Sequence, residues 1–261
     1  MQHHERAIQA FVEGVTTDGS CDAVIVTGSV ARGKERPDSD IDLYLLVGTN
    51  AFDTARREDR LSYVSFEGAG YEGGYFDVKL VTNEYLALAA QVGDEPVRAS
   101  FEAARIAWTR QQGLEEQIRA IITLPDDAWT TRQASFIAQA RLQAGYFLPQ
   151  AYERGNTFLL HHAAVHLVGA TGRALLALNR VLFQGPKYLA DAVGRLERRP
   201  NGYEALASAV LEAPTPDNAR DLVGELETWH SWPLAVEATL SRFIEDNELA
   251  WLSGIRPPEY A

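Results

Sequence analysis

The chain has 261 residues, 46% of them hydrophobic, and a formal net charge of −12, so it is long enough for a sizeable core in one or two domains. Its 36 acidic residues outnumber 24 basic ones, which disfavours a nucleic-acid partner because phosphate backbones are bound through basic patches. Apolar runs too short for a membrane, a start without an apolar signal core, and a single cysteine, Cys21, predict a cytoplasmic protein without a membrane partner.

The first informative segment follows an amphipathic helix at the start of the chain and an apolar strand at Ala23–Val26. Gly28 lets the backbone turn sharply and approach a ligand, and Ser29 stands where a short helix, Val30–Arg32, would begin. Unpaired backbone N–H groups at such a turn suit a phosphate. The spacing matches neither the P-loop nor the dinucleotide-binding fingerprint.

Two carboxylates open the next predicted strand, Ile41–Val47. Asp40 and Asp42 are two residues apart, so on a strand they would share one face at a separation of roughly 6.6 to 6.8 Å. Two carboxylates this close repel each other, which raises the pKa of one of them. A divalent cation between them removes the repulsion and favours both ionised forms. Hard oxygen ligands on a rigid strand predict a magnesium site.

A third carboxylate lies on a later predicted strand. After a predicted strand at Leu61–Glu67 and a glycine-rich stretch, Tyr75–Val81 alternates polar and apolar residues. Asp77 falls on the polar face with Lys79, as expected of a strand that has a core on one side and a cleft on the other. Glu67 and Glu72 are weaker candidates for the same site.

The chain changes character after a last predicted strand at Ala104–Trp108. Strand patterns give way to helical periodicity, so we expect domains at residues 1–112 and 113–261. An apolar stripe from Leu160 to Leu182 predicts one packed helix. Further helices are predicted at Asp126 to about Tyr152, Tyr188–Arg198, Tyr203–Glu212 and Asp217 to about Trp251. Pro149 and Pro233 are expected to end or kink the helices that contain them.

The glycine-serine pair, the following Arg-Gly and the run PDSDIDL together resemble the signature of the DNA polymerase β superfamily of nucleotidyltransferases. In length and in its helical second half the chain is most similar to the antibiotic-modifying members of aminoglycoside and lincosamide type and to their uncharacterised bacterial relatives. This resemblance implies an α/β (α+β) fold in which a small mixed-sheet nucleotidyltransferase domain precedes an α-helical bundle domain.

The resemblance also implies an activity: transfer of a nucleoside monophosphate from Mg-NTP, with ATP the expected donor, to a hydroxyl of a small acceptor. The acidic net charge favours a cationic acceptor such as an aminoglycoside. Two Mg²⁺ ions are expected. The oligomeric state stays open.

Residue roles follow from the same resemblance. Asp40, Asp42 and Asp77 would be catalytic and hold the metal, with Asp77 acting as a ligand or as the base for the acceptor hydroxyl. The residues expected to bind nucleotide are Gly28, Ser29, Arg32, Ser39 and Lys187. Lys187 follows a Gly-Pro break in the helical half and would neutralise the triphosphate, with Lys34 and Lys79 as other candidate cations.

Other interpretations remain. A regulatory or antitoxin-like protein could retain the same fold and act on a protein partner. Asp40 and Asp42 could also lie at the solvated turn of an acidic β-hairpin edge and bind no metal. His162 and His166 are spaced as a zinc-binding pair, but their apolar context favours core histidines. Arg154 and His161 match a short pattern found in HEPN-type ribonucleases. The pattern is too common in unrelated proteins to indicate that activity by itself.

Overall fold

A computed structural model describes residues 1–17, 19, 21–254 and 256–258. The chain divides into two compact units, Met1–Thr123 and Leu124–Ala261. A mixed α/β unit is followed by a helical unit, which is the predicted fold class. The division falls after Thr123 and not at the expected 112/113 boundary, because a helix at Leu114–Ile122 packs against a helix at Asn83–Val92 of the first unit.

The described residues of the first unit form five strands: β1 (Cys21–Val26), β2 (Ile41–Val47), β3 (Ser62–Ser65), β4 (Phe76–Val81) and β5 (Arg105–Thr109). They form one sheet with the order β3-β4-β2-β1-β5. Strands β2 and β4 are parallel, and the other neighbouring pairs are antiparallel. The sheet is therefore mixed, as predicted, and the end of β1 lies beside the start of β2. Strand β3 is shorter than its predicted span.

Six helices are described in this part of the chain: α1 (Gln2–Thr16), α2 (Gly28–Ala31), α3 (Thr49–Arg57), α4 (Asn83–Val92), α5 (Glu95–Ser100) and α6 (Leu114–Ile122). The sequence pattern predicted α1 and placed α2 at Val30–Arg32, two residues late. The last four helices were not predicted from the sequence. Side chains cap two of them: Thr82 accepts from the Tyr85 N–H and Asp94 accepts from the Val97 N–H.

Different helices cover the two faces of the sheet. Alternate residues of β2 and β4, Leu43 and Phe76 among them, pack with Ile8 and Phe11 of α1. On the opposite face, Tyr44 and Leu46 of β2 and Val81 of β4 pack with residues of α4 and α6. Because successive strand residues point to opposite faces, Asp42 and Asp77 lie on this second face, at the beginning of their strands.

All regular elements described in the second unit are helical: α7 (Asp126–Leu142), α8 (Leu148–Glu153), α9 (Thr157–Leu178), α10 (Leu189–Gly194), α11 (Tyr203–Glu212), α12 (Pro216–Trp229), α13 (Thr239–Asp246) and α14 (Ala250–Ser253). A π-helical segment at Gln143–Phe147 joins α7 to α8, and 3₁₀ turns occupy Pro186–Tyr188 and Val236–Ala238.

Three predicted helices needed correction. The segment from Asp217 to Trp251 is three helices, because α12 ends at Trp229 before Pro233, as proline placement predicted. The predicted helix Tyr188–Arg198 is confined to α10. Helix α9 ends at Leu178, where Arg180 adopts a left-handed conformation with φ of 56°, so Leu182 is buried beyond the helix.

The second unit has its own hydrophobic core, in which α7 packs along α9. The Arg173 guanidinium lies between two aromatic rings of this core, 4.2 Å from the centroid of Phe136 and 4.4 Å from that of Phe183. Among the helices described, none has both the length and the apolar character needed to cross a membrane.

Candidate active site

The turn after β1 is built directly against the first strand carboxylate. The Thr27 N–H donates to the backbone carbonyl of Asp42 over 2.9 Å, which joins the end of β1 to the start of β2. Gly28 follows with φ of 66°, and a Cβ placed there would lie 1.8 Å from Asp42 Oδ2. Only glycine therefore fits at this position while the Asp42 carboxylate stays in place.

Asp42 and Asp77 are neighbours on adjacent strands. In the parallel pairing of β2 with β4 their Cα atoms are in register, so the two side chains project from the same face side by side. The Asp77 carboxylate is held by two further contacts. Its Oδ1 accepts from the Ser62 hydroxyl over 3.4 Å, and its Oδ2 is 3.4 Å from Lys79 Nζ.

Asp40 stands one residue before β2 and contacts the start of β4. The Tyr75 phenol donates a hydrogen bond to the Asp40 carboxylate, and this bond, with the negative charge of Asp40, raises the pKa of Tyr75. The Ile41 N–H donates to the Tyr75 carbonyl over 3.0 Å. The expected carboxylate pair and the expected third carboxylate thus come to one end of the sheet.

The electrostatics of this cluster centre on Asp42. Burial raises its pKa, and the negative charges of Asp40 and Asp77 raise it further, while Lys79 and Arg32 act in the opposite direction. Partial burial by itself would lower the pKa of Lys79, but Asp77, Tyr44 and Asp42 outweigh it and raise that pKa. Burial and the neighbouring carboxylates therefore disfavour the ionised form of Asp42.

The donor set suits a hard divalent cation by its chemistry. It consists of carboxylate oxygens at neighbouring strands, where burial and the adjacent negative charges raise the pKa of Asp42. Across the described residues, however, no three Asp, Glu, His or Cys side chains are already gathered as a metal cluster. Asp77 is instead paired with Lys79, whose ammonium a bound divalent cation would have to replace as the counter-charge.

The predicted nucleotide-binding residues lie in several places. Ser29 is in α2. Arg32 ends α2 with its backbone N–H, and its guanidinium donates to the Ala99 carbonyl of α5 over 3.4 Å. Ser39 is buried, and its hydroxyl oxygen accepts from the Arg36 N–H over 2.9 Å, which closes the turn before Asp40. Lys187 belongs to the other unit, where it is exposed in a 3₁₀ turn beside Tyr188.

The remaining sequence candidates are spread more widely. Glu67, Glu72 and Lys34 are exposed in loops of the first unit. The rings of His162 and His166 lie 4.1 Å apart on α9, with both side chains partly buried. Arg154 ends α8 while His161 lies within α9, so the two residues of the short ribonuclease-like pattern stand on either side of a turn.

Several residues around the aspartates were not predicted to contribute. Period-two alternation placed Tyr75 on the face of Asp77, but the contact of Tyr75 with Asp40 depends on the pairing of β2 with β4. Ser62 reaches Asp77 from β3. His4 and Tyr71 both contact the carbonyl of Ser39, which no local pattern indicates.

Comparison with known proteins gives a family match for the first unit and a structural neighbour for the chain. Residues 8–95 match the family model described as the nucleotidyltransferase domain. Among solved structures the chain is similar to a nucleotidyltransferase-like protein from Exiguobacterium sibiricum 255-15, with a TM-score of 0.52 and 11% sequence identity over 95% of this chain and 79% of that one. At this identity the likeness concerns the fold alone. No curated protein matches the sequence.

Residues 8–95 therefore form a nucleotidyltransferase domain of the DNA polymerase β superfamily. This confirms the resemblance that the sequence signature carried. The domain supports nucleotidyl transfer in general, and the matched part contains Gly28, Asp40, Asp42 and Asp77.

Proposed function

We propose that the first unit transfers a nucleoside monophosphate from Mg-NTP, with ATP as the donor, to a hydroxyl of a small, cationic acceptor. The observation that carries this proposal is the in-register pair Asp42 and Asp77, with Gly28 pressed against the Asp42 carboxylate. A phosphate turn and a carboxylate pair in direct contact can hold a triphosphate and its metal at one point. The net charge of −12 supports a cationic acceptor.

Asp40 and Asp42 would hold magnesium, with Asp77 as a further ligand or as the base. When bound, Mg²⁺ would neutralise the triphosphate and lower the pKa of the acceptor hydroxyl. Two ions are expected, as in related two-metal phosphoryl-transfer sites. The raised pKa of Asp42 supports this assignment, because a carboxylate destabilised by burial and by its acidic neighbours gains most from a bound cation.

In the proposed reaction the acceptor oxygen attacks the α-phosphorus and forms a new P–O bond. The bond from the α-phosphorus to the bridging oxygen breaks, and pyrophosphate leaves with that bonding pair. The hydroxyl proton goes to Asp77, which Ser62 orients through a hydrogen bond to Oδ1. Positioning and charge stabilisation account for most of the rate enhancement in this chemistry.

The remaining nucleotide contacts are assigned to the turn and to basic side chains. Gly28 and Ser29 would approach the phosphates through the backbone, with Arg32 beside them adding positive charge near Asp42. Ser39 would act mainly through the turn that places Asp40, since its hydroxyl already bonds the Arg36 N–H. Lys187 is proposed to neutralise the β- and γ-phosphates.

The proposal is tested by incubating the protein with Mg²⁺, the four NTPs and a panel of amine-bearing and uncharged polyols. Mass spectrometry should detect an acceptor that has gained one nucleoside monophosphate, together with released pyrophosphate. The Asp42→Asn variant is the matched control and should form neither product. Absence of both products with the wild-type protein across the panel, together with no NTP binding, would contradict the proposed activity.

A further inference from the structure

One carbonyl oxygen beside the aspartates receives two side-chain hydrogen bonds. The backbone oxygen of Ser39 lies 3.3 Å from His4 Nε2 and accepts from the Tyr71 hydroxyl over 2.7 Å. His4 comes from α1, and Tyr71 comes from the loop between β3 and β4. Segments far apart in sequence therefore meet at the residue that precedes Asp40.

The chemistry of this contact fixes the state of His4. A carbonyl oxygen has no hydrogen to give, so the ring must carry its proton on Nε2 and donate. The side chain is fully buried, and its Nδ1 has no hydrogen-bond partner among the residues described. Burying an unpaired ring nitrogen is unfavourable, so packing alone does not explain a histidine here. The bond to Ser39 is what this side chain provides.

Tyr71 is held firmly enough to position another group. A Cβ at Gly74 would lie 2.5 Å from the Tyr71 ring, so the ring lies directly on the glycine backbone. The Gly74 N–H donates to the Tyr71 carbonyl over 3.1 Å, and the ring packs edge-on against His4 with centroids 4.9 Å apart. Gly74 precedes Tyr75, so Tyr71 is tied to the start of β4 as well as to Ser39.

These contacts leave Asp40 between two fixed peptide groups. Both lone pairs of the Ser39 oxygen are used, and since the peptide unit is planar, its orientation fixes the Asp40 nitrogen and Cα. On the other side, the Ile41 N–H donates to the Tyr75 carbonyl over 3.0 Å. The direction in which the Asp40 side chain leaves the backbone is thereby set before any ligand binds.

We propose that His4 and Tyr71 are positioning residues for Asp40 and that the metal affinity of the site depends on their two hydrogen bonds to the Ser39 carbonyl. This inference rests on the proposed role of Asp40 in metal binding. Outer-shell partners of metal ligands typically change affinity by about 10- to 100-fold when they are removed. Neither residue touches the reacting groups, so the effect should appear in binding of the metal before it appears in chemistry.

The test uses Mn²⁺ as the probe and electron paramagnetic resonance to measure its binding to the full chain with and without ATP. Tyr71→Phe removes one hydroxyl and keeps the ring on Gly74, and we expect it to weaken Mn²⁺ binding by about tenfold or more. Tyr63→Phe removes a hydroxyl from a half-buried tyrosine of β3 and should leave Mn²⁺ affinity unchanged. Equal Mn²⁺ affinity in wild type and Tyr71→Phe would overturn the proposal for Tyr71.

His4 is tested by a pair of variants. The His4→Gln side chain can still donate an amide N–H to Ser39, whereas His4→Leu cannot, so Gln should recover much of the affinity that Leu loses. Equal Mn²⁺ affinity in both variants would overturn the role of the His4 hydrogen bond, whatever their thermal stability.

A second measurement separates this inference from the proposed function. The amide resonance of Asp40 should shift in Tyr71→Phe and His4→Leu and stay in place in Tyr63→Phe, all without metal or nucleotide. If wild type binds no Mn²⁺ while this pattern holds, the metal assignment fails and the positioning of Asp40 stands. An unmoved Asp40 resonance in both variants refutes the positioning itself.

Discussion

Gly28 and Asp42 are in such close contact that a methyl group on the glycine would occupy the position of the carboxylate, 1.8 Å from Asp42 Oδ2. The two residues are joined a second time through the backbone, because the Thr27 N–H donates to the Asp42 carbonyl. The turn expected to receive phosphate and the strand expected to receive metal are therefore one local structure. A change in either must displace the other.

Gly28→Ala tests this coupling. A left-handed backbone costs about 1 to 2 kcal/mol for a residue with a Cβ, and the Asp42 carboxylate must also move. Since a misplacement of about 1 Å can reduce a rate by about 10²-fold, we expect turnover to fall at least that much. Gly33→Ala is the matched control, because Gly33 also has a positive φ of 64° but open space around its Cβ position. Equal losses of turnover in the two variants would show that backbone strain, and not Asp42, is responsible.

Asp42→Asn should change the pH dependence of stability. Because the folded state raises the pKa of Asp42 above its usual 3.8, the stabilisation that it contributes is full below that value and is lost as pH rises through the raised pKa. The variant should therefore be more stable than wild type at neutral pH without metal, and the difference should shrink as the pH falls. Urea denaturation across this range measures it, with the exposed Asp53→Asn as the control for losing one charge. A variant less stable than wild type at pH 7 would contradict the electrostatic account.

The same substitution tests the metal. Mg²⁺ stabilises only a protein whose folded state binds it. It should raise the denaturation midpoint of wild type and have little effect on Asp42→Asn. A similar rise in both proteins would argue against Asp42 as a ligand.

Much of the sheet could be predicted from local pattern. The bounds of β2 agree with the prediction because Ile41–Val47 is apolar except for Asp42 and begins directly after Asp40. Asp77 was placed on the polar face of β4 by alternation alone, and Phe76 and Val78 do pack into the core on the opposite side. These features depend on a two-residue period that the sequence displays directly.

The contacts that complete the site depend on the order of the strands. No local pattern places β2 beside β4, so the register of Asp42 with Asp77 and the contact of Tyr75 with Asp40 could not be predicted. Gly28 was expected to permit close approach of a ligand, and it also permits the close approach of Asp42. His4 carries no local sign that it bonds a carbonyl 35 residues away.

Asp77→Asn separates the two roles left open for the third carboxylate. If Asp77 is the base, the rate should fall by about 10²- to 10⁴-fold while the affinity for Mg-NTP is retained. If it is a ligand, Mg-NTP affinity should fall as well. Calorimetric titration of the variant distinguishes these outcomes, and turnover equal to that of wild type would dismiss both.

Lys187→Ala tests the assignment of this exposed lysine to the triphosphate. Since its charge is expected to address the β- and γ-phosphates, the variant should lose about tenfold or more in NTP affinity and little in NMP affinity. Lys187→Arg should recover only part of the loss, because a planar fork does not reproduce a compact ammonium. Unchanged NTP affinity would show that Lys187 does not bind the triphosphate. Lys34, Lys79 or Arg32 would then have to supply the positive charge for it.

Lys79→Gln tests whether the ammonium acts as the counter-charge of the aspartates before metal arrives. Lys79 Nζ lies 3.4 Å from Asp77 Oδ2, and its charge also acts on Asp42. Removing a cation beside the carboxylates should favour binding of another cation. We therefore expect Mn²⁺ to bind about two- to fivefold more tightly to the variant, the range that corresponds to a partly exposed ion pair.

The control for Lys79→Gln is Arg60→Gln, which removes a positive charge from an exposed pair with Glu58 in the same unit. Both variants lose one charge, so a general effect of net charge would tighten Mn²⁺ binding equally in the two. If the Lys79 ammonium competes with Mn²⁺ for Asp77, Lys79→Gln should bind Mn²⁺ more tightly than Arg60→Gln. Weaker Mn²⁺ binding in Lys79→Gln would mean that the lysine holds Asp77 in the orientation that the metal needs, and the exchange of ammonium for metal would then be wrong.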